Sequence, residues 1–259
     1  MLQQVQEGDE RLFHGNAIQS YYFQDDNLVA SRVAFSILAM DEVNLKRIWE
    51  DFCADKLQLS HDLGGKIWAV IEAKYNESVR SYHTLQHIED LVQLLQLCKS
   101  RIVDLDTVLL AIFFHDVIYD PTASDNEEKS AALFSDLLSV HVSECIIQKV
   151  VLYIMATKSH SSDDSRDEDL FYFLDLDMSI LGRDRLQYAL YAEKIRKEYS
   201  HVEEGAFNLG RSTFLRKILL NGKKIFLTEE FQSKMEEKAR HNIAWEIDEL
   251  ERKNSNMVE

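Results

Sequence analysis

Proline is nearly missing from this chain: Pro121 stands alone in 259 residues, and there are only eight glycines. With so few residues that lock or loosen the backbone, a loop-rich fold is excluded and long helices are expected throughout. Cysteine is scarce as well. Cys53, Cys98 and Cys145 are odd in number, widely spaced and without a CxxC pair, which fits reduced structural thiols in a cytosolic protein. Basic residues are outnumbered, 29 Lys and Arg against 45 Asp and Glu, leaving a net charge of −16. Such a balance argues against a nucleic-acid polymer as partner, since phosphate neutralisation needs clustered cations; an anionic substrate would have to be drawn by local positive charge or by a metal. No apolar run reaches the roughly 18 residues of a spanning helix, and the N-terminus lacks the basic-then-apolar pattern of a signal peptide. The expected setting is cytoplasmic, with no membrane partner. HExxH, P-loop, GxGxxG and nucleophile-elbow motifs are all lacking.

What is present is helical periodicity in a chain that is 46% hydrophobic. Val29, Val33, Ile37 and Met40 recur at helical spacing, so residues 1–42 read as an N-terminal extension with a helix packed on the main body. From residue 43 to 253 one apolar face follows another: Leu45, Ile48, Trp49 and Phe52; Ile67, Trp68, Ile71 and Tyr75; Ile88, Leu91, Val92, Leu94 and Leu95. Asp104 or Asp106 can cap the helix through Val108–Phe114, Ser124 and Glu127 have capping-box spacing, and Thr228 caps the last helix, which carries Phe231, Met235, Ala239, Ile243, Ile247 and Leu250 inward. Residues 254–259 read as a tail. The expected architecture is one all-α domain, a helical bundle with no repeat and no long linker.

The chemistry is concentrated in three stretches. Phe113-Phe114-His115-Asp116-Val117-Ile118-Tyr119-Asp120 sets an imidazole beside a carboxylate at the end of a strongly apolar run, a costly placement unless a cation holds them. Upstream, His83 and His87 are spaced i, i+4, which on a helix puts them on one face. Downstream, Asp175 and Asp177 lie in an apolar segment ending at Gly182. Taken singly, each residue suits a core or capping role. Together, His83, His87, His115, Asp116 and Asp177 are the types that bind divalent first-row metals.

The order His…His-Asp…Asp on successive helices resembles the signature of the HD-domain superfamily of metal-dependent phosphohydrolases, and more closely a bacterial branch of predicted HD phosphohydrolases. The resemblance is carried by Tyr82–Ile88, Phe113–Pro121, Asn126–Ala131, Ala156–His160 and Leu174–Gly182, and covers roughly Asn44 to Leu250. It implies a helical bundle with a metal site between central helices, His87, His115, Asp116 and Asp177 as ligands of a divalent ion (Mn, Fe, Co, Ni, Zn or Mg), and a small phosphorylated substrate, in one version a nucleotide. Tyr82–His87 also looks like the Tyr-His-Asn-x-x-His segment of cyclic-nucleotide phosphodiesterases, which assigns His83 as the acid that protonates the leaving group. In other HD proteins the earlier histidine aligns as the ligand instead.

The branch's pattern further implies Glu127 as a water-orienting residue, against its reading as a helix cap, and His160 and Lys158 as a second-ion ligand and a phosphate contact. Arg80 could grip phosphate. Asp175 is read as a partner of a metal-bound histidine or a helix-terminal acid, and Arg196, Tyr199, Arg211 and Arg240 as solvated or helix-bridging. Two rival functions remain: an HD-fold di-iron oxygenase, for which His160 is the obvious extra histidine, and a non-catalytic nucleotide- or metal-binding module.

Overall fold

The computed structural model describes residues 43–160, 166–220 and 224–256. The helix expected from Val29, Val33, Ile37 and Met40 lies outside them. The fold is all-α, and no strand occurs among the described residues. Its helices are Leu45–Asp55 (α1), His61–Tyr75 (α2), Leu85–Cys98 (α3), Leu105–Phe114 (α4), Asn126–Leu138 (α5), Glu144–Ala156 (α6), Glu168–Met178 (α7), Arg185–Glu198 (α8), Glu204–Leu220 (α9) and Glu229–Asn256 (α10), with 3-10 turns at Lys99–Arg101 and Ser179–Gly182. Residues from Asn44 onward form one unit. No helix among the described residues is long and apolar enough to cross a membrane.

Local chemistry sets the starts of these helices. Orphan N–H groups are taken by the side chains of Asn44, Ser60, Asp104, Ser143, Asp167 and Asp184 at six N-termini. Of the two acids offered for α4, Asp104 is therefore the cap. Thr228 receives the Phe231 N–H at 3.3 Å, as expected. The Ser124–Glu127 capping box does not form: Asp125 occupies the N-cap position. Asn126 bonds back to both backbone groups of Asp120, which fixes the start of α5 one residue later than the box requires. At the other end of the chain α10 continues to Asn256, past the boundary at 253 read from sequence.

Helix α4 is the centre of the core. Val108, Leu110, Ala111, Ile112, Phe113 and Phe114 are all buried, so the C-terminal half of the helix is enclosed nearly all round, with Leu109 alone partly exposed. Trp49 of α1 meets Phe113 edge-on at 5.3 Å and Phe114 at 6.0 Å, while its indole N–H donates to the Gly64 carbonyl. Helices α3, α6 and α7 close the other sides. The Tyr75 hydroxyl donates to the Phe113 carbonyl, tying α2 to the end of α4 where the chemistry begins. Helix α10 packs along α9 and against the 179–182 turn. A Cβ at Gly182 would lie 2.5 Å from Cβ of Met235, so only glycine permits that approach. Asp175 accepts the backbone N–H groups of Leu227 and Thr228 and the Thr228 hydroxyl. It is a brace for the start of α10, and no hydrogen bond joins it to His87 or His115.

Candidate metal centre

Three helix ends bring the chemical groups together. His87 sits in the first turn of α3, His115 is the residue that closes α4, Asp116 follows it, and Asp177 lies in the last turn of α7. The C-terminal ends of α4 and α7 carry the partial negative charge of their unpaired carbonyls, which favours a cation nearby. His83 differs from expectation: α3 begins at Leu85 with Thr84 before it, so His83 precedes the helix and the i, i+4 argument does not place it.

His87 Nε2 and His115 Nε2 face each other at 3.2 Å. Asp177 Oδ1 stands 3.1 Å from the first and 3.6 Å from the second. Asp116 Oδ2 is 3.1 Å from His115 Nε2 and 3.9 Å from His87 Nε2. On its other side His115 Nδ1 is 3.0 Å from the Ile112 carbonyl, which can only accept, so the ring proton of neutral His115 is on Nδ1 and the Nε2 lone pair points inward. The cluster thus turns lone pairs on nitrogen and oxygen toward one point with too few protons between them. Burial alone would push the His115 imidazole down, but the Asp116 and Asp177 carboxylates hold it well above the ordinary histidine range. Burial likewise opposes ionisation of Asp177, yet His115, His160 and His87 hold it well below the usual carboxylate range. Both shifts express the same demand for positive charge. Ligand atoms of His87, His115 and Asp177 lie within 4.8 Å of one another, and this group could hold a metal ion.

His160 joins the site from the end of α6. Its Nε2 is 2.8 Å from Asp177 Oδ2, on the carboxylate oxygen away from the histidine pair. The backbone there is left-handed (φ 46°), and the His160 N–H closes the helix on the Ala156 carbonyl. A non-glycine residue held in that region beside a charged cluster marks a constrained site.

His83 is gripped by a residue that sequence reasoning did not assign. Glu198, at the end of α8, has its Oε2 2.7 Å from His83 Nδ1 and accepts the Tyr119 hydroxyl at 2.8 Å. Its Oε1 accepts the backbone N–H groups of Ser81, Tyr82 and His83. Tyr119 stacks on the His83 ring at 4.3 Å. Burial would push the His83 imidazole down, but the Asp116 charge and the bond to Glu198 outweigh it and hold it above the ordinary value. With Nδ1 committed to Glu198, the 21% exposed His83 side chain has Nε2 left to offer the adjoining cavity. No spacing rule links residues 115 positions apart; the available signal was an acid closing a helix that also buries Tyr188 and Ile195.

The cavity measures about 780 Å³, within the usual range for small-molecule sites. His83, Asp116, Glu127, Lys158, His160 and Asp177 line it. Arg80 does not. Its two terminal nitrogens donate to the carbonyls of His83, Asp116 and Val117, its Nε is buried without a partner, and the group lies close to the rings of Tyr75 and Tyr119. It fixes the backbone of the His-Asp turn, which corrects the phosphate-gripping role expected for it. Lys158 pairs with Glu128 and donates to the Ser124 carbonyl. Arg196 and Arg211 serve as bridges, Arg196 to the Tyr199 and Val202 carbonyls and Arg211 to Glu246, whereas Arg240 pairs with Glu236 on its own helix.

Comparison of the chain with family models, with curated proteins and with solved structures returns no match.

Proposed function

We propose that the protein is a metal-dependent phosphohydrolase of the HD type, acting on the phosphate ester of a small molecule. The observation that carries this reading is the facing pair of imidazole nitrogens, His87 and His115, closed by the carboxylates of Asp177 and Asp116 at the wall of a cavity. A divalent ion held there would supply a concentrated positive charge that acidifies water and polarises a phosphoryl oxygen. Two imidazoles with two carboxylates suit Mn, Fe, Co, Ni or Zn, and Mg less well because of the nitrogens.

The remaining steps belong to the chain itself. His83, charged and anchored through Nδ1, donates a proton from Nε2 to the departing alkoxide. Glu198 acts through His83: it fixes the ring's orientation, keeps Nδ1 protonated and stabilises the imidazolium, so it is a positioning residue. Glu127, on the cavity wall in the first turn of α5, orients water. The test is elemental analysis of the purified protein, followed by phosphate release from a phosphoester panel with each ion. Metal-depleted protein that hydrolyses esters as fast as reloaded protein ends the proposal.

One observation favours a second reading. His160 on the outer oxygen of Asp177 adds a third imidazole to the cluster, as a di-iron, oxygen-activating site of this fold would need. Iron absorption with oxygen uptake, and no phosphate release, would select it.

A further inference from the structure

The cavity beyond the candidate metal centre has walls that bear on the substrate. Helices α8 and α9 contribute Tyr191, Ile195, Phe207, Phe214 and Ile218 to its lining, an aromatic and aliphatic surface. Phe214 is half exposed, an apolar ring at the edge of the cavity that a bound group would cover.

Positive charge on these walls is already committed. Lys158 is paired with Glu128, with Glu127 at 4.0 Å. Arg211 donates to Glu246 Oε1 at 2.9 Å and to the Tyr191 hydroxyl at 3.2 Å, and its guanidinium lies against the rings of Tyr191 and Phe214. His83 is neutralised by Glu198. The two carboxylates of the metal centre cancel the charge of one divalent ion. Among the described residues lining the cavity, no uncommitted lysine or arginine is left to meet a second phosphate.

We infer that the site takes esters carrying a single phosphate on a bulky, uncharged, ring-bearing or branched apolar group, and discriminates against polyphosphates and other multiply charged esters. This rests on the phosphohydrolase reading and adds to it the class of the alcohol. The apolar group would lie against α8 and α9 while the phosphate meets the metal centre; transfer of such a group from water supplies the affinity, and any further anionic group would be desolvated without a partner.

The experiment measures binding, not turnover, so that leaving-group reactivity does not enter. Manganese-loaded full-length protein is titrated calorimetrically with methylphosphonate, (1-naphthylmethyl)phosphonate and 3-phosphonopropionate, which share one head group. The naphthyl compound is expected to bind about tenfold or more tightly than methylphosphonate, and phosphonopropionate no more tightly than methylphosphonate. Phe214→Ala, at a half-exposed position, is expected to reduce the naphthyl preference by about threefold or more. Equal affinities for the naphthyl and methyl compounds, or tighter binding of phosphonopropionate, overturn the inference while leaving the phosphohydrolase reading intact. Phosphonate binding that is absent, or unchanged when manganese is removed, counts against that reading and takes the inference with it.

Discussion

Glu198 holds His83 by side chain and backbone at once: one carboxylate oxygen lies 2.7 Å from His83 Nδ1, while the other accepts the His83 N–H at 3.0 Å. A residue on α8 thereby sets the orientation of an imidazole that no helix supports, and several measurable consequences attach to the pair.

Replacing the carboxylate by an amide keeps the shape and removes the charge. Glu198→Gln is expected to lower kcat by about 10²-fold, the usual scale for losing a well-placed proton donor, with KM little changed. The imidazolium loses its counter-charge, so the alkaline limb of the kcat profile moves to lower pH. A purely structural role would lower kcat without moving that limb.

Acid should weaken the fold through the same residue. Burial pushes the Glu198 carboxyl up, but the bond to His83, its charge and the backbone N–H groups win and hold it at about 2, below its ordinary 4.5. Because the folded value is the depressed one, its stabilisation is complete above about 4.5 and is lost as pH falls toward 2. The full effect is on the order of 3 kcal/mol. Denaturant midpoints of wild type and Glu198→Gln should therefore converge across that window; a gap that stays constant down to pH 3 would contradict the assignment.

Ion binding to His87, His115, Asp116 and Asp177 should stabilise the native state by mass action, by about 2.7 kcal/mol at a free concentration one hundred times Kd. Thermal melts with and without added manganese or zinc, and after chelation, measure this. In His115→Ala the metal-dependent rise in Tm should vanish and the bound metal should fall.

Arg80 offers a test of structure against substrate contact. Its guanidinium satisfies three backbone carbonyls around the His-Asp turn, so Arg80→Met should cost about 3 kcal/mol in urea unfolding, as buried acceptors lose a charged donor. A rise in KM at unchanged stability would restore the phosphate-binding role.

Gly182 fills a place no side chain can share. With Met235 Cβ 2.5 Å from where its own Cβ would stand, Gly182→Ala should destabilise by roughly 2 kcal/mol or more through overpacking. Adding Met235→Ala should leave most of the loss in place, because alanine keeps the Cβ and the backbone oxygen that the new methyl would meet.

The helical class was legible because burial writes itself into local spacing. Ile67, Trp68, Ile71 and Tyr75 predicted one face of α2 and all four are buried. The run from Val108 to Phe114 predicted a helix and became the largely buried α4. Of the site, His87, His115 and Asp177 were readable as apolar-context polar groups at helix ends, and they converge. Roles that depend on the other side of a contact were not readable. Arg80 looked available for an anion until Asp116 and Val117 supplied the acceptors. Asp175 was open to two readings, a partner of a histidine or a helix-terminal acid, until the Leu227 and Thr228 N–H groups claimed its carboxylate.

What the sequence determined by itself is therefore the helices of the described residues and the residue types of the candidate metal centre, since both follow from the period of apolar residues and from the cost of placing ionisable groups among them. Only the tertiary structure decided that the start of α3 and the ends of α4 and α7 meet at one point, that Glu198 of α8 is the residue behind His83, and that α8 and α9 wall the cavity with rings. Those are contacts between segments far apart in the chain. They are set by how whole helices pack, and packing leaves no local mark at either end.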